Sequence, residues 1–145
     1  MGRVQDKVAL VTGSAQGMGY AIASCLLEEG AKVMINDLNQ ETIDQAVEKL
    51  NQEYPGRVMG KKADVTSKAE VQAMIDELVQ TWGGIDVLVN NAGGALHTPY
   101  KLEEIEEKHW NLVLNVNLKG SFLTCQSAIP YMVKAGKGAI VNMGA

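Results

Sequence analysis

The alternation of short apolar runs with helix-period stretches constrains this chain more than any other feature. Lys7–Val11, Lys32–Asn36, Arg57–Lys62, Asp86–Val89 and Ala139–Met143 read as strands. Between them, apolar residues return at three and four positions. Ile43, Ala46, Val47 and Leu50 follow that rule, and Val71, Met74, Ile75, Leu78, Val79 and Trp82 continue it over three turns. Ser67 and Glu70 form a capping box at the head of the latter helix. Gly30 follows a predicted Tyr20–Glu29 helix, where a left-handed backbone closes the last turn. Two further helical stretches, Glu103–Leu118 and Ser121–Ala135, follow each other closely, and Pro130 predicts a kink in the second.

The first, fourth and fifth runs are nearly unbroken Val, Ile and Leu, the pattern of strands covered on both faces. Strict alternation is missing, which argues against a one-faced antiparallel sheet. Strands that alternate with helices join through right-handed crossovers into a parallel sheet. The expected fold is therefore a Rossmann-like, doubly wound α/β sheet with strand order 3-2-1-4-5 and helices on both faces. Its crevice lies at the switch between strands 1 and 4. A length of 145 residues suits one domain, residues 1–145.

Composition narrows the function. The net charge is −4, so the chain has no basic footprint for nucleic acid or an anionic membrane. No apolar run approaches the roughly 20 residues of a membrane span. Residues 1–6 are polar and Val8–Val11 is too brief for a signal segment, so the expected location is cytoplasmic. Cys25 and Cys125 stand in apolar helical contexts without metal-ligand spacing; they are expected to be buried core thiols, and no metal site is expected.

The chemistry is written in the loop after the first strand. Thr12-Gly13-Ser14-Ala15-Gln16-Gly17-Met18-Gly19 opens the first helix. Gly13 permits a tight turn, Gly17 lets backbone approach a pyrophosphate, and Gly19 lets the helix pack closely. Free N–H groups and the helix dipole then face the anion. Asp37 ends the second strand, where a carboxylate accepts both hydroxyls of an adenosine ribose and repels a 2′-phosphate. Leu38 follows it, and the glycine loop carries no Arg or Lys. This predicts NAD(H) rather than NADP(H); the alternative for Asp37 is a surface carboxylate flanking a helix. A P-loop is excluded because no Gly-Lys-Ser or Gly-Lys-Thr follows the glycines.

Five motifs in order resemble the short-chain dehydrogenases/reductases over essentially the whole chain. They are the TGSAQGMG loop, Asp64-Val65 after the third strand, Asn90-Asn91-Ala92-Gly93 after the fourth, Val116-Asn117-Leu118-Lys119-Gly120 in the following helix, and the Gly138–Met143 strand. NNAG and VNLKG also argue against a methyltransferase. The resemblance implies that Gly13, Ser14, Gln16, Gly17, Met18 and Gly19 hold the pyrophosphate and Asp37 the ribose. Asp64 and Val65 would border the adenine. Asn91, Ala92 and Gly93 would line the ribose nearer the nicotinamide. Asn117 would match the catalytic-site asparagine, which keeps a helix bent and holds a water in a proton relay. Asp64 also suits a helix cap, Asn90 and Asn91 are also turn formers, and Asn115 and Asn117 both could bond local backbone; the motif register favours Asn117.

The implied activity is hydride transfer between a nicotinamide and a small carbonyl or alcohol substrate. In the family a Ser, a Tyr and a Lys beyond the fifth strand perform it, the lysine making the phenol work at neutral pH. No Tyr-x-x-x-Lys occurs here: Tyr20, Tyr54, Tyr100 and Tyr131 are followed four residues on by Ser24, Val58, Glu104 and Ala135. By register, Ala145 stands at or beside the serine's place. The expectation is a dinucleotide-binding portion cut after strand 5, inactive alone; the alternative is a non-catalytic nucleotide-binding half-domain. His97 is expected to be a solvated loop residue and His109 a packing residue. Asp86 is expected to cap or salt-bridge at the fourth strand.

Family members commonly pair through the two helices after the fourth strand. Here these carry Trp110, Leu112, Val113, Phe122, Leu123, Ile129, Tyr131, Met132 and Val133, too much apolar surface for one face. A homo-oligomer, or association with a complementary segment along an open strand 5 edge, is expected.

Overall fold

The computed structural model describes residues 2–99 and 101–144. Five parallel strands, β1 (Val8–Val11), β2 (Lys32–Asp37), β3 (Val58–Lys62), β4 (Val87–Asn90) and β5 (Ala139–Asn142), form one sheet in the order β3-β2-β1-β4-β5. Helices α1 (Gly17–Glu28), α2 (Gln40–Glu53) and α3 (Lys68–Trp82) join the first four strands, and α4 (Glu107–Leu114) and α5 (Gly120–Ala135) join β4 to β5. This is the Rossmann-like order expected from the alternation.

Side chains of β1 alternate between two cores. Val8 and Leu10 point to one with Met34 and Leu88, where α3 and α5 add Met74, Ile75, Leu78, Leu123 and Met132. Ala9 and Val11 point to the other with Val33 and Ile35, where α1 and α2 add Ala23, Leu27, Ile43 and Leu50. Each fully buried Leu, Ile or Met side chain contributes about 1.5–3 kcal/mol, so both layers are anchored on the central strand. Asp86 caps β1 and not the fourth strand that it precedes: its carboxylate accepts from Val8 N at 2.9 Å and satisfies the first amide of β1. Among the described residues, no helix is long and apolar enough to cross a membrane.

Helix ends follow local chemistry. Asn39 accepts from Thr42 N at the head of α2, and Ser67 accepts from Glu70 N at the head of α3. The capping box is only half made, because Glu70 Oε1 accepts from Asp64 N at 3.5 Å. Gly30 has φ +94° after α1, with Ala31 N donating to Leu26 O and Gly30 N to Leu27 O, both at 3.0 Å. That pair of bonds is the expected glycine closure.

Four expectations need correction. The first helix begins at Gly17, three residues before Tyr20. Its glycines sit where N–H groups have no intrahelical partner, so their poor helix propensity matters little. The stretch from Glu103 is not one helix: a 3-10 turn covers Leu102–Glu104, α4 follows, and a π-helical turn, Asn115–Lys119, runs directly into α5. Cys25 is exposed, because it lies on the outer face of α1, while Cys125 is half-buried against the α3–α5 core. Finally, β5 is covered on one face only. Ile140 packs against the α3–α5 core, but Val141 is 48% exposed, since α1 and α2 sit over β1, β2 and β3. Helix α5 continues through Pro130 to Ala135.

Candidate functional site

The strands open into a cleft at their C-terminal ends, where β1 and β4 turn to different faces. Its volume is about 570 Å³, and Gly13, Gln16, Asp37, Asp64, Val65, Asn91, Ala92 and Gly93 line it. Eight of the residues singled out from sequence thus share one wall system. Asn36, Leu38, Ala63, Leu96, His97, Leu112 and Val116 complete it.

The glycine loop is held in place by buried polar bonds. Thr12, 1% exposed, accepts at its hydroxyl from Asn91 N and Ala92 N, both at 3.0 Å. Asn91 Nδ2 donates to Thr12 O at 3.2 Å and Gly13 O at 3.0 Å. The loops after β1 and β4 are therefore one unit. Gly13 and Gly17 have φ of +61° and +63°, which L side chains rarely adopt. A Cβ at Gly13 would lie 2.9 Å from Ala92 Cα, while one at Gly17 would meet nothing within 4 Å. A group approaching Gly17 thus meets no side chain from the rest of the chain.

Helix α1 differs from its neighbours in how it starts. Its N-cap Gln16 makes no side-chain cap bond, and its first turn holds no acidic residue. Helices α2 and α3 have Asn39 and Ser67 caps, with Glu41 and Glu70 in their first turns. The positive end of α1 thus carries no capping side chain of its own. Asp37 stands beside it: Oδ2 accepts from Ala15 N at 3.2 Å and Oδ1 from Leu38 N at 3.0 Å. These two amides fix the carboxylate at the cleft edge, and no cation among the described residues is bonded to it.

Other predicted residues are placed differently. The Ser14 hydroxyl is fully buried, donates to Val11 O at 2.6 Å and accepts from Asn36 N, while Ser14 N donates to Asn36 O at 2.8 Å, so the residue braces the loop from within. Met18 is 64% exposed and borders a separate apolar groove with Arg3, Ile22 and Cys25. Gly19 packs against Gly13, Ser14 and Asn91 instead of facing the cleft. Asp64 does begin a turn: Oδ1 accepts from Thr66 N at 2.9 Å and Thr66 Oγ1 at 2.7 Å. Asn90 is structural; its amide donates to Asn142 Oδ1 at 2.9 Å and accepts from the Thr124 hydroxyl, tying β4 to β5 and α5.

Asn117 sits in the π-helical turn. Its Oδ1 accepts from Gly94 N at 2.8 Å, and Nδ2 donates to Gly94 O and Val113 O, both at 2.9 Å. Diverting the Val113 carbonyl one turn back is a local cause of the irregular winding. The same amide clamps the loop after β4, where Leu96 and His97 carry left-handed φ of +51° and +62°. His97 lines the cleft; His109 is half-buried, with an Nδ1 that has no hydrogen-bond partner. Tyr131 donates to Asp76 Oδ1 at 2.6 Å, which holds its phenol above the ordinary value, the reverse of an activated general base. Tyr100 and Ala145, the position set beside the family's serine, lie outside the described residues. Among the described residues, no group of His, Cys, Asp and Glu side chains is arranged to hold a metal ion.

Sequence reasoning missed Thr12 and Asn36. The signal was present: each is a polar residue at the end of an apolar buried strand, and such groups must find partners.

The chain is similar to known proteins throughout. A family model described as short chain dehydrogenase matches residues 7–145. The chain is 39% identical to the 3-oxoacyl-[acyl-carrier-protein] reductase FabG of Thermotoga maritima, over 97% of this chain and 56% of that protein. It is 43% identical to the D-threitol dehydrogenase of Mycolicibacterium smegmatis, over 97% and 53% respectively. A solved structure described as that of a short-chain dehydrogenase from Novosphingobium aromaticivorans superimposes with a TM-score of 0.86 at 36% identity, covering 94% of this chain and 51% of that one. The chain spans about half the length of the curated relatives it matches. With the fold, the glycine loop and the β4 loop all in place, the chain belongs to the short-chain dehydrogenase family.

Proposed function

We propose that this chain binds NAD(H) and is the nucleotide-binding portion of an oxidoreductase that moves hydride between the nicotinamide and a carbonyl or alcohol carbon. The observation that carries the cofactor choice is Asp37, a carboxylate fixed by Ala15 N and Leu38 N at the cleft edge. Both of its partners are neutral amides, so its negative charge stays available to repel a 2′-phosphate. The uncapped start of α1, open at Gly17 where a Cβ would meet nothing, suits a diphosphate. Asp64, Val65 and Ala63 offer a flat wall for an adenine, and Ala92 and Gly93 a floor for the second ribose. The bound nicotinamide would supply the hydride chemistry. This chain's residues orient it and exclude water, and Asn117 keeps the loop from Gly93 to His97 closed over that end. The 145 residues contain no Tyr-x-x-x-Lys pair to move the substrate proton.

Titration with both dinucleotides tests the reading. Charge-assisted hydrogen bonds are worth about 1.5–3 kcal/mol, so NADH is expected to bind tighter than NADPH by about tenfold to a hundredfold. Asp37→Ala is expected to remove most of that preference. Equal or tighter binding of NADPH to the unaltered protein would sink the assignment.

The assembly reading rests on the outer faces of α4 and α5. Leu123 and Met132 turn into the core, but Trp110, Phe122 and Val133 are 61%, 57% and 73% exposed. Such a surface favours self-association. Light scattering is expected to report a dimer or larger species, and Phe122→Glu to shift it towards monomer; a monomer at high concentration would oppose this.

A further inference from the structure

Asn36 is an amide in an apolar strand, 1% exposed, and every side of it is used. Its Oδ1 accepts from Gly13 N at 3.4 Å. Its Nδ2 donates to Lys61 O at 3.1 Å and to Ala63 O at 3.2 Å. Along the backbone, Asn36 N donates to Ser14 Oγ at 3.0 Å, and Asn36 O accepts from Ser14 N at 2.8 Å. The β1–β2 ladder ends at Val11 and Ile35, so these bonds carry the pairing on into the glycine loop. The same residue reaches the other way to the end of β3, where the chain leads into Asp64 and Val65. Asp37 follows it directly, and its aim depends on the backbone that Asn36 fixes.

We propose that Asn36 is a positioning residue for the dinucleotide: it sets the spacing between the diphosphate cradle and the adenine wall and the direction of the Asp37 carboxylate. The proposal rests on the NAD(H) reading above. An apolar side chain of equal size would leave Gly13 N, Lys61 O and Ala63 O without these partners in a buried place. Two walls held only by their own loops would then drift independently, and a ligand that spans both would lose most.

Three variants of the intact chain separate positioning from plain stability: Asn36→Val, Asn36→Ser and Leu50→Ala. Leu50 is 1% exposed in the α1–α2 core and does not line the cleft. Melting temperature is measured beside calorimetric affinity for NADH and for AMP, at a temperature where each variant is folded. Leu50→Ala is expected to melt earlier while its NADH affinity stays within about twofold. Both Asn36 variants are expected to weaken NADH by about tenfold or more, and AMP, which shares the adenine wall and Asp37 but engages the cradle through a single phosphate, by clearly less. Should Asn36→Val fail to fold, Asn36→Ser decides, since it leaves room for a water. A folded Asn36→Ser with unchanged NADH affinity, or equal losses for NADH and AMP, overturns the positioning role. An unaltered protein that binds no NADH overturns the cofactor reading itself.

Discussion

Gly19→Ala is expected to cost about 2–4 kcal/mol of stability, the sum of an overpacked contact and a displaced hydrogen bond. A Cβ at this position would overlap the Gly13 carbonyl oxygen, and would lie 2.5 Å from Asn91 Nδ2 and 2.8 Å from Ser14 Cα. Two of those atoms are backbone and cannot swing aside. The third donates to Gly13 O at 3.0 Å, so the added methyl lands on the bond that joins the β1 and β4 loops. Alanine's better helix propensity works the other way by at most about 1 kcal/mol, too little to offset the clash. Gly17→Ala is the matched comparison. It too belongs to the first turn of α1, with φ +63°, but its Cβ would meet nothing within 4 Å. Its cost is the left-handed backbone alone, about 1–2 kcal/mol. Urea unfolding of both variants is expected to rank Gly19→Ala as the less stable, with NADH affinity falling more than about a hundredfold because the loop amides move together. The opposite ranking would show that the close approach is not what requires glycine at position 19.

These two positions show what a sequence displays and what it hides. A run such as Val8–Val11 declares itself a buried strand, since only parallel strands with both faces covered are so uniformly apolar. The order of the sheet and the place of the cleft then follow from alternation and handedness. Which atoms fill the cleft corner does not. The motif assigns Gly19 to close packing, and its neighbours Gly13, Ser14 and Asn91 do require glycine there, but that Gly17 carries a left-handed dihedral angle is visible only in the structure. The Ser14 hydroxyl, which the motif sets beside the pyrophosphate, is turned inward to Val11 O and Asn36 N. Asn36 lies in a strand and was passed over, because its three partners come from segments about twenty-five residues away on either side. The Asn115–Lys119 π turn had no periodic signature, since it adds one residue to a turn inside an otherwise regular helix pattern. The exposed Cys25 sat in an apolar stretch that packs by only one stripe of the helix, and a 12-residue helix does not bury every hydrophobic neighbour. The pattern thus reports which elements exist, while long-range polar bonds decide how the site is built.

Thr12→Val removes such a bond without altering shape. Valine matches threonine in volume, so no cavity or overlap accompanies the change. What is lost is an acceptor, 1% exposed, for Asn91 N and Ala92 N at 3.0 Å each. Asn91 N retains a tight contact to Val89 O at 3.1 Å, but Ala92 N has no second acceptor among the described residues. Leaving one such donor unmet and weakening another costs about 1.5–3 kcal/mol, reduced somewhat because both residues are only half-buried. For a chain of this length that corresponds to a fall in melting temperature of roughly 5–12 °C. The place of the loss gives it a second consequence. The β1–β4 pairing ends at Val11 and Val89, so beyond that point the hydroxyl takes over the ladder's work of holding the two loops at the cleft. Ala92 and Gly93 line that cleft, and they are expected to loosen with it. Amide hydrogen exchange at Asn91 and Ala92 reads this directly. Faster exchange is expected in Thr12→Val at a temperature where the rest of the sheet stays protected, and near-normal protection in Thr12→Ser, which keeps the oxygen. If Thr12→Val melts with the unaltered protein and both amides stay protected, the hydroxyl is not the link between the loops, and the shared wall of the cleft must be held by Asn91 Nδ2 and the bond from Thr12 N to Val89 O.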